Sequence, residues 1–435
     1  MLANGLSVSL PGEPGTESAR LLAACELPSF DGCRRALAVT GGERGEFALV
    51  PLVERSGQWE RAAPGDGVAA ALVRALASGA TLAGGFRLQA FGASPVGTGE
   101  RAITADQTNQ SVVVGERLVV KWLRHSRSGN HPAAELRAHL TEVGFTAIPR
   151  PYGDLSWVSP DGDAVTLAFV DEFLPGADDG WTWCVDILLA HLGHGTGRCP
   201  PDCEADFPAR LGALVADLHV ALATPSTVLP VPTAPASSDQ IADWSRQAHD
   251  HLAEALRLTD GEDGAFLASR TGQLTRALKG VAHASSVPLQ RIHGDLHVGQ
   301  VLRWSGGLAV IDFDGNPAVA PAEATRLQPA ARDVAQMLRS LDHVGRIASR
   351  RTDGRHTTSI ERWIGWARDL FLDAYHGQLT RHGQASPLDQ RLLFALEVEQ
   401  ECRELVYAAR FLPRWRYAPM AALRSMFPDP DPELR

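Results

Sequence analysis

The segment from His293 to Pro317, HGDLHVGQVLRWSGGLAVIDFDGNP, constrains this chain more than any other. An apolar pair, Val301 and Leu302, leads into Ser305, Gly306 and Gly307, and an apolar run from Leu308 to Ile311 follows. Two short apolar runs around a Gly-rich turn predict an antiparallel hairpin. Such a hairpin returns the chain to the loop that precedes it. His293-Gly294-Asp295-Leu296-His297-Val298-Gly299-Gln300 would then lie beside Asp312-Phe313-Asp314-Gly315, and Asp295, Gln300 and Asp312 would converge. Gly-Asp and Asp-Gly are also common turn pairs. Either motif alone says little; the order and spacing of both carry the reading.

Phosphoryl transfer requires such a point. A carboxylate accepts the proton of the attacking hydroxyl, and separate oxygen ligands hold Mg²⁺ against the nucleotide phosphates. Asp295 is expected to be the catalytic base facing the acceptor hydroxyl. Gln300, Asp312 and Asp314 are the expected metal ligands.

At 435 residues and 44% hydrophobic, the chain has room for two or three domains with sizeable cores. It has no eighteen-residue apolar stretch, and its start, MLANGLSVSLPGEPG, lacks a basic segment followed by an apolar one. A cytoplasmic protein with no membrane partner is expected. With 41 Lys and Arg against 51 Asp and Glu, the net charge of −10 argues against a nucleic-acid partner and is compatible with a cationic substrate. The six cysteines do not suggest a disulfide framework in a chain of this length. His191, His194, Cys199 and Cys203 fall within the thirteen residues HLGHGTGRCPPDC. They are compatible with tetrahedral Zn²⁺, with a Cys199–Cys203 bridge, or with no special role; their spacings match no standard zinc ribbon or finger.

Upstream of the hairpin, Arg20 to Leu27 and Gly67 to Ala77 read as helical, and Phe47 to Val53 as a strand. Residues 103–104, 111–114 and 117–123 read as three antiparallel strands. Lys121 stands near the end of the third, and Glu135 follows on a helix opened by Pro132. Ala164 to Phe169 is a further strand. Pro208 to Ala223 is an amphipathic helix on which His219 reads as a packed structural residue. Residues 224–238 read as a loop, and polar helices are expected over 239–258 and 263–283. Helices over 334–346, 359–381 and 388–411 close the chain. On the last helix, Glu397, Gln400, Glu401, Glu404 and Tyr407 share one helical face. Carboxylates and aromatic rings are the side chains that hold sugar hydroxyls, an ammonium group and pyranose faces. Glu401, Glu404, Tyr407, Arg410 and Trp415 are therefore the expected substrate residues, together with Asp295 and His297.

These motifs resemble the protein-kinase-like fold and, within it, the aminoglycoside phosphotransferase type of small-molecule kinase. That type carries H-x-D-x-x-x-x-N followed by a DFG-like element; here Gln300 replaces the Asn. Gln at this position, with His297 and the D-F-[DE]-G-x-P that Asp312 to Pro317 form, resembles the actinobacterial maltokinases and glucosamine kinases. The resemblance extends from about Gln107 onward. It implies an α+β, bilobal fold: an N-terminal α/β cap over 1–90, a nucleotide-binding β-sheet lobe over 91–175 and a mostly helical C-lobe over 176–435. It also implies ATP and Mg²⁺. Lys121, paired with Glu135, would meet the nucleotide phosphates. No G-x-G-x-x-G is present, and the loop Asp106 to Gln110, with Thr108 and Asn109, takes its place. The hinge, 170–176, would meet adenine at Asp171 and Phe173. Asp178 to Trp183 would open the C-lobe, and Asp333, in an R-D-V-A element, would anchor the metal-binding loop.

The Q-E-x-R-E-x-x-Y-A-A-R form of Gln400 to Arg410, with Asp314-Gly315-Asn316-Pro317, looks more like the glucosamine kinase subgroup. The expected reaction is transfer of the γ-phosphoryl group of ATP to the 6-hydroxyl of glucosamine, by a monomer. A maltokinase forming maltose 1-phosphate and another aminoglycoside-type phosphotransferase are the alternatives. A non-catalytic scaffold would have no need of Lys121, Asp295, Gln300 and Asp312 together.

Overall fold

The computed structural model describes residues 20–41, 46–103, 110–129, 131–159, 161–194, 200, 202–315 and 325–428. The chain divides into two compact units, one of Met1–Thr141 with Ile148–Gly176 and the other of Glu142–Ala147 with Ala177–Arg435. Helix and sheet are mixed, as the α+β reading requires.

The described residues of the first unit begin with β1 (Arg20–Glu26), β2 (Arg35–Gly41), β3 (Phe47–Arg55) and β4 (Gln58–Arg61), an antiparallel sheet in that order. The helix expected at Arg20 to Leu27 is thus a strand. Its apolar run Leu21 to Cys25 is too short for period alone to separate the two states, and pairing with β2 decides it. α1 (Val68–Ala77) follows as expected. A six-stranded sheet comes next, built from β5 (Phe86–Ala90), β6 (Glu100–Ala102), β7 (Gln110–Val114), β8 (Leu118–Trp122), β9 (Pro151–Val158) and β10 (Ala164–Glu172), in the order β5-β9-β10-β8-β7-β6. β5 belongs to this sheet through its pairing with β9, although its residues lie before position 91. One core joins the two sheets: Leu37, Val39, Leu72 and Leu76 pack with Val112, Leu118, Val120, Trp122 and Leu155.

Strand alternation then fixes where Lys121 points. Leu118, Val120 and Trp122 face that core, so Val119 and Lys121 lie on the other face. Lys121 pairs with Phe169 across β8 and β10. The Phe169 ring meets His131 at 5.3 Å and the Arg137 guanidinium at 4.3 Å. His131 and Arg137 bracket the first turns of α2 (Pro132–Glu142), which carries Glu135. Lys121 therefore shares its sheet face with the start of α2.

The second unit is mostly helical. Its helices are α3 (Gly180–Gly193), α4 (Phe207–Leu222), α5 (Ser238–Leu258), α6 (Gly261–Leu278), α7 (Ala331–Arg351), α8 (Thr357–Arg381), α9 (Gln390–Phe411) and α10 (Tyr417–Met426). Local chemistry sets several starts. Asp179 accepts from Thr182 N–H, Ser237 and Gln240 form a capping box, and Asp389 accepts from Arg391 and Leu392 N–H. β13 (Val301–Trp304) and β14 (Gly307–Val310) form the expected hairpin. β11 (Thr233–Pro235), β12 (Pro288–Gln290) and β15 (Gln328–Pro329) make a small sheet, so the stretch expected as a loop at 224–238 contains a strand. α7 and α9 pack together through buried charge as well as apolar contact: Arg339 meets Glu397 at 2.9 Å and His343 meets Glu401 at 3.1 Å.

Candidate active site

The loop before β13 is held from three sides. From α7, the carboxylate of Asp333, fully buried, accepts from the N–H groups of His293 at 2.8 Å and Gly294 at 2.9 Å. His219 Nε2 lies 3.4 Å from the same carboxylate, and Tyr375 Oη lies 2.9 Å from His219 Nδ1. Burial opposes the Asp333 charge, but His219 and the loop N–H groups outweigh it and hold the carboxyl below its ordinary value. Asp333 thus anchors the loop that carries Asp295, where a role at the metal-binding loop was expected. His219 is a packed structural residue, as read from its helix. Further along α7, Gln336 accepts from Leu296 N–H at 3.1 Å and Ser340 from Val298 N–H at 3.0 Å. Gly294 takes φ +85°, a left-handed turn that a side chain would strain.

From the hairpin, Ile311 N–H donates to the Gln300 carbonyl at 2.9 Å, and the Ile311 carbonyl lies 2.9 Å from His293 Nε2. Gln300 and Asp312 are brought together at the open end of the hairpin. Asp312 itself takes φ +66°, which Asp tolerates better than most residues. The Phe313 ring packs 4.9 Å from His293, and Asp314 follows in the turn that Gly315, at φ +77°, completes.

From α3, the Asp-Gly-Trp segment docks on the same loop. A Cβ on Gly180 would stand 1.6 Å from the Val298 carbonyl oxygen, so only glycine fits there. Trp181 stacks on His297 with ring centroids 5.7 Å apart. Gly299 N–H donates to His297 Nδ1 at 3.1 Å, which leaves the ring proton on Nε2, facing the Gln300 amide at 3.5 Å. In that tautomer the amide turns its oxygen toward the ring. Gln300 and Asp312 carry hard oxygen donors, the kind that suits Mg²⁺.

Burial is the largest influence on Asp295 and raises its carboxyl pKa; His297, His293 and Arg403 pull it back and Glu404 adds to it. A carboxylate raised in this way is a better proton acceptor. Burial also lowers His297, against the fields of Asp295, Glu404 and Asp312, and favours a neutral imidazole.

α9 divides the expected substrate residues. Glu404 is half-buried; its two oxygens accept from Gln400 Nε2 and Trp415 Nε1, each at 3.0 Å. Trp415 stands edge-on to Trp181 at 5.8 Å and to His343 at 5.3 Å. Glu401 is fully buried against α7 and engaged by His343, and Glu397 is bound by Arg339 and by Arg368 at 2.8 Å. The stripe expected on one face is therefore split, with Glu397 and Glu401 serving the core. Tyr407 is half exposed beside Phe411, and Arg410 pairs with Glu254 on α5. Neither of these two joins the Trp415–Glu404 group.

Among the nucleotide residues of the first unit, the Asp171 carboxylate binds Arg137, which also holds Asp154 at 2.5 Å. Phe173 N–H donates to the Arg117 carbonyl at 2.9 Å. A cavity of about 540 Å³ lies alongside, lined by Ser94, Pro95, Arg117, Tyr152, Glu172 and Phe173. Thr108 and Asn109 lie outside the described residues. Trp181, His343 and Arg403 were not singled out from sequence, although Trp181 stands in the Asp-Gly-Trp segment and Arg403 in the Gln400–Arg410 pattern.

The model of the phosphotransferase enzyme family matches residues 99–368. A glucosamine kinase of Streptacidiphilus jiangxiensis is 42% identical over 87% of this chain and 86% of its own length. One from Mycolicibacterium smegmatis is 40% identical over 87% of this chain and 93% of its own. Among solved structures, a glucosamine kinase superposes with a TM-score of 0.83 at 37% identity over 98% of both chains. A complex of glucosamine kinase with glucosamine, ADP and inorganic phosphate gives a TM-score of 0.79 at 37% identity, over 97% of this chain and 96% of that one. The chain belongs to the phosphotransferase enzyme family, in the group that its glucosamine kinases form.

Proposed function

We propose that this protein transfers the γ-phosphoryl group of ATP to the 6-hydroxyl of glucosamine. The observation that carries the reading is the run of contacts from the Asp295 loop to the last helix: Trp181 stacks on His297, Trp415 stands edge-on to Trp181, and Glu404 accepts from Trp415 Nε1. The glucosamine kinase relatives, one of them solved with glucosamine and ADP, support it.

Asp295 orients the acceptor hydroxyl and takes its proton as the bond to phosphorus forms. Its raised pKa suits that task. Gln300 and Asp312, with Asp314, are the residues that would hold Mg²⁺, whose charge when bound offsets that of the phosphoryl group in flight. Lys121, with Glu135, is the proposed phosphate contact of the first unit. Glu404 is the proposed partner of the sugar ammonium, since Glu401 is sealed against His343. Trp415 is the ring-facing aromatic, and His297 orients Gln300. A charge-assisted contact of Glu404 with the ammonium is worth roughly 1.5–3 kcal/mol, about tenfold to a hundredfold in preference for glucosamine over glucose.

Proton–phosphorus correlation spectra of the product test the regiochemistry. Coupling of phosphorus to the two C6 protons is expected. Coupling to the anomeric proton would overturn the assignment of the hydroxyl.

A further inference from the structure

On the second unit, in neither the Asp295 loop nor the aromatic wall, stands a group of soft and borderline metal ligands. His191 lies in the last turn of α3, His194 caps that helix, and Cys203 sits in the segment leading to α4. One ligand atom from each lies within 4.8 Å of the other two. Cys203 Sγ stands 3.5 Å from His191 Nδ1. A zinc ion with Zn–S of about 2.3 Å and Zn–N of about 2.0–2.1 Å, at the tetrahedral angle, holds those two atoms about 3.5–3.6 Å apart. This pair already has the separation of two ligands on one ion.

We infer that His191, His194 and Cys203 form a zinc-binding site that clasps the end of α3 to the segment before α4. Three protein ligands leave a fourth position for water. The donor set of two imidazoles and a thiolate selects Zn²⁺ over Mg²⁺ or Ca²⁺, which prefer oxygen. The site lies at a helix C-terminus, where the backbone dipole favours a cation. The thiol of Cys203 loses its proton to solvent on binding. Because the ion ties two segments and touches no reacting group, its role is structural.

The test is a Co²⁺ titration of the full chain, reduced with a phosphine and freed of metal, followed by absorbance and then by Zn²⁺ displacement. The expected result is one Co²⁺ per chain, with tetrahedral d–d bands and a thiolate-to-cobalt charge-transfer band, all erased by Zn²⁺. Cys203→Ser should remove the charge-transfer band, and His191→Asn should weaken Zn²⁺ binding by at least about tenfold. Cys199→Ser should retain the band. Absence of the charge-transfer band from the reduced parent protein would overturn the inference. So would its persistence in Cys203→Ser with loss in Cys199→Ser. Circular dichroism of each variant separates loss of ligand from loss of fold.

Discussion

Asp333→Asn tests whether the catalytic loop is held in place from α7. The carboxylate accepts from His293 and Gly294 N–H at 2.8 and 2.9 Å and faces His219 at 3.4 Å. Asparagine keeps one acceptor oxygen and turns an NH₂ group toward one of the two backbone donors. One charge-assisted hydrogen bond is lost, roughly 1.5–3 kcal/mol, and one buried N–H is left unsatisfied, roughly 1–3 kcal/mol. The sum, roughly 2.5–6 kcal/mol, lies below or near the lower end of a typical total stability of about 5–15 kcal/mol, so a folded variant is expected. At about 2–4 °C per kcal/mol for a large domain, Tm falls by roughly 5–24 °C. Gly294 directly precedes Asp295, so a loosened loop displaces the base, and a misplacement of about 1 Å costs about a hundredfold in rate. Thermal melts and kcat for sugar-dependent ADP release read the two effects on one preparation. A variant with unchanged Tm and kcat within about twofold of the parent would refute the anchoring argument.

Asp295→Asn should lower kcat by about 10²–10⁴-fold with little change in KM for the sugar, measured by steady-state kinetics. The parent should lose kcat/KM as pH falls through an apparent pKa above the usual carboxylate range, because Asp295 acts ionised and burial raises its pKa. Glu404→Gln should raise KM for glucosamine by about tenfold to a hundredfold and leave glucose nearly unaffected. Glu401→Gln should do the opposite: KM stays, while stability drops by roughly 3–5 kcal/mol in a urea melt because His343 loses its buried partner. Glu399 is buried; burial alone would raise its carboxyl, but Arg332 outweighs it, with His251, and holds the carboxyl at about 2 against an ordinary 4.5. Its folded-state pKa is depressed, so its stabilisation is present above about 4.5 and is lost as pH falls toward about 2. The stability gap between parent and Glu399→Gln should therefore narrow in melts taken from about pH 6 down to about pH 3.

The hairpin and its two motifs were legible because turn chemistry is local: Ser305 to Gly307 fix the reversal, and everything at its open end follows. α1, α4 and the long C-terminal helices were legible from their apolar period. β1 was not, since five apolar residues satisfy both periods and only pairing with β2 chooses. β9 was missed for a different reason. Pro151 and Gly153 break its pattern, and a Cβ on Gly153 would lie 2.5 Å from the Gln89 carbonyl, so the residue that makes the strand fit is one that hides it. On α9, period placed Glu401 and Glu404 near one another but said nothing of what covers each. α7 covers Glu401 with His343, while Trp415 reaches Glu404 from beyond the helix end. The partnership of Trp181 with His297 depends on Gly180 meeting Val298 across more than a hundred positions, a contact that no local pattern encodes.

ADP release with Mg·ATP, measured against glucosamine, glucose, maltose and kanamycin in parallel, reads the acceptor directly. Strong turnover is expected with glucosamine, turnover weaker by about tenfold to a hundredfold with glucose, and none with maltose or kanamycin. Turnover on maltose with none on glucosamine would contradict the proposed reaction.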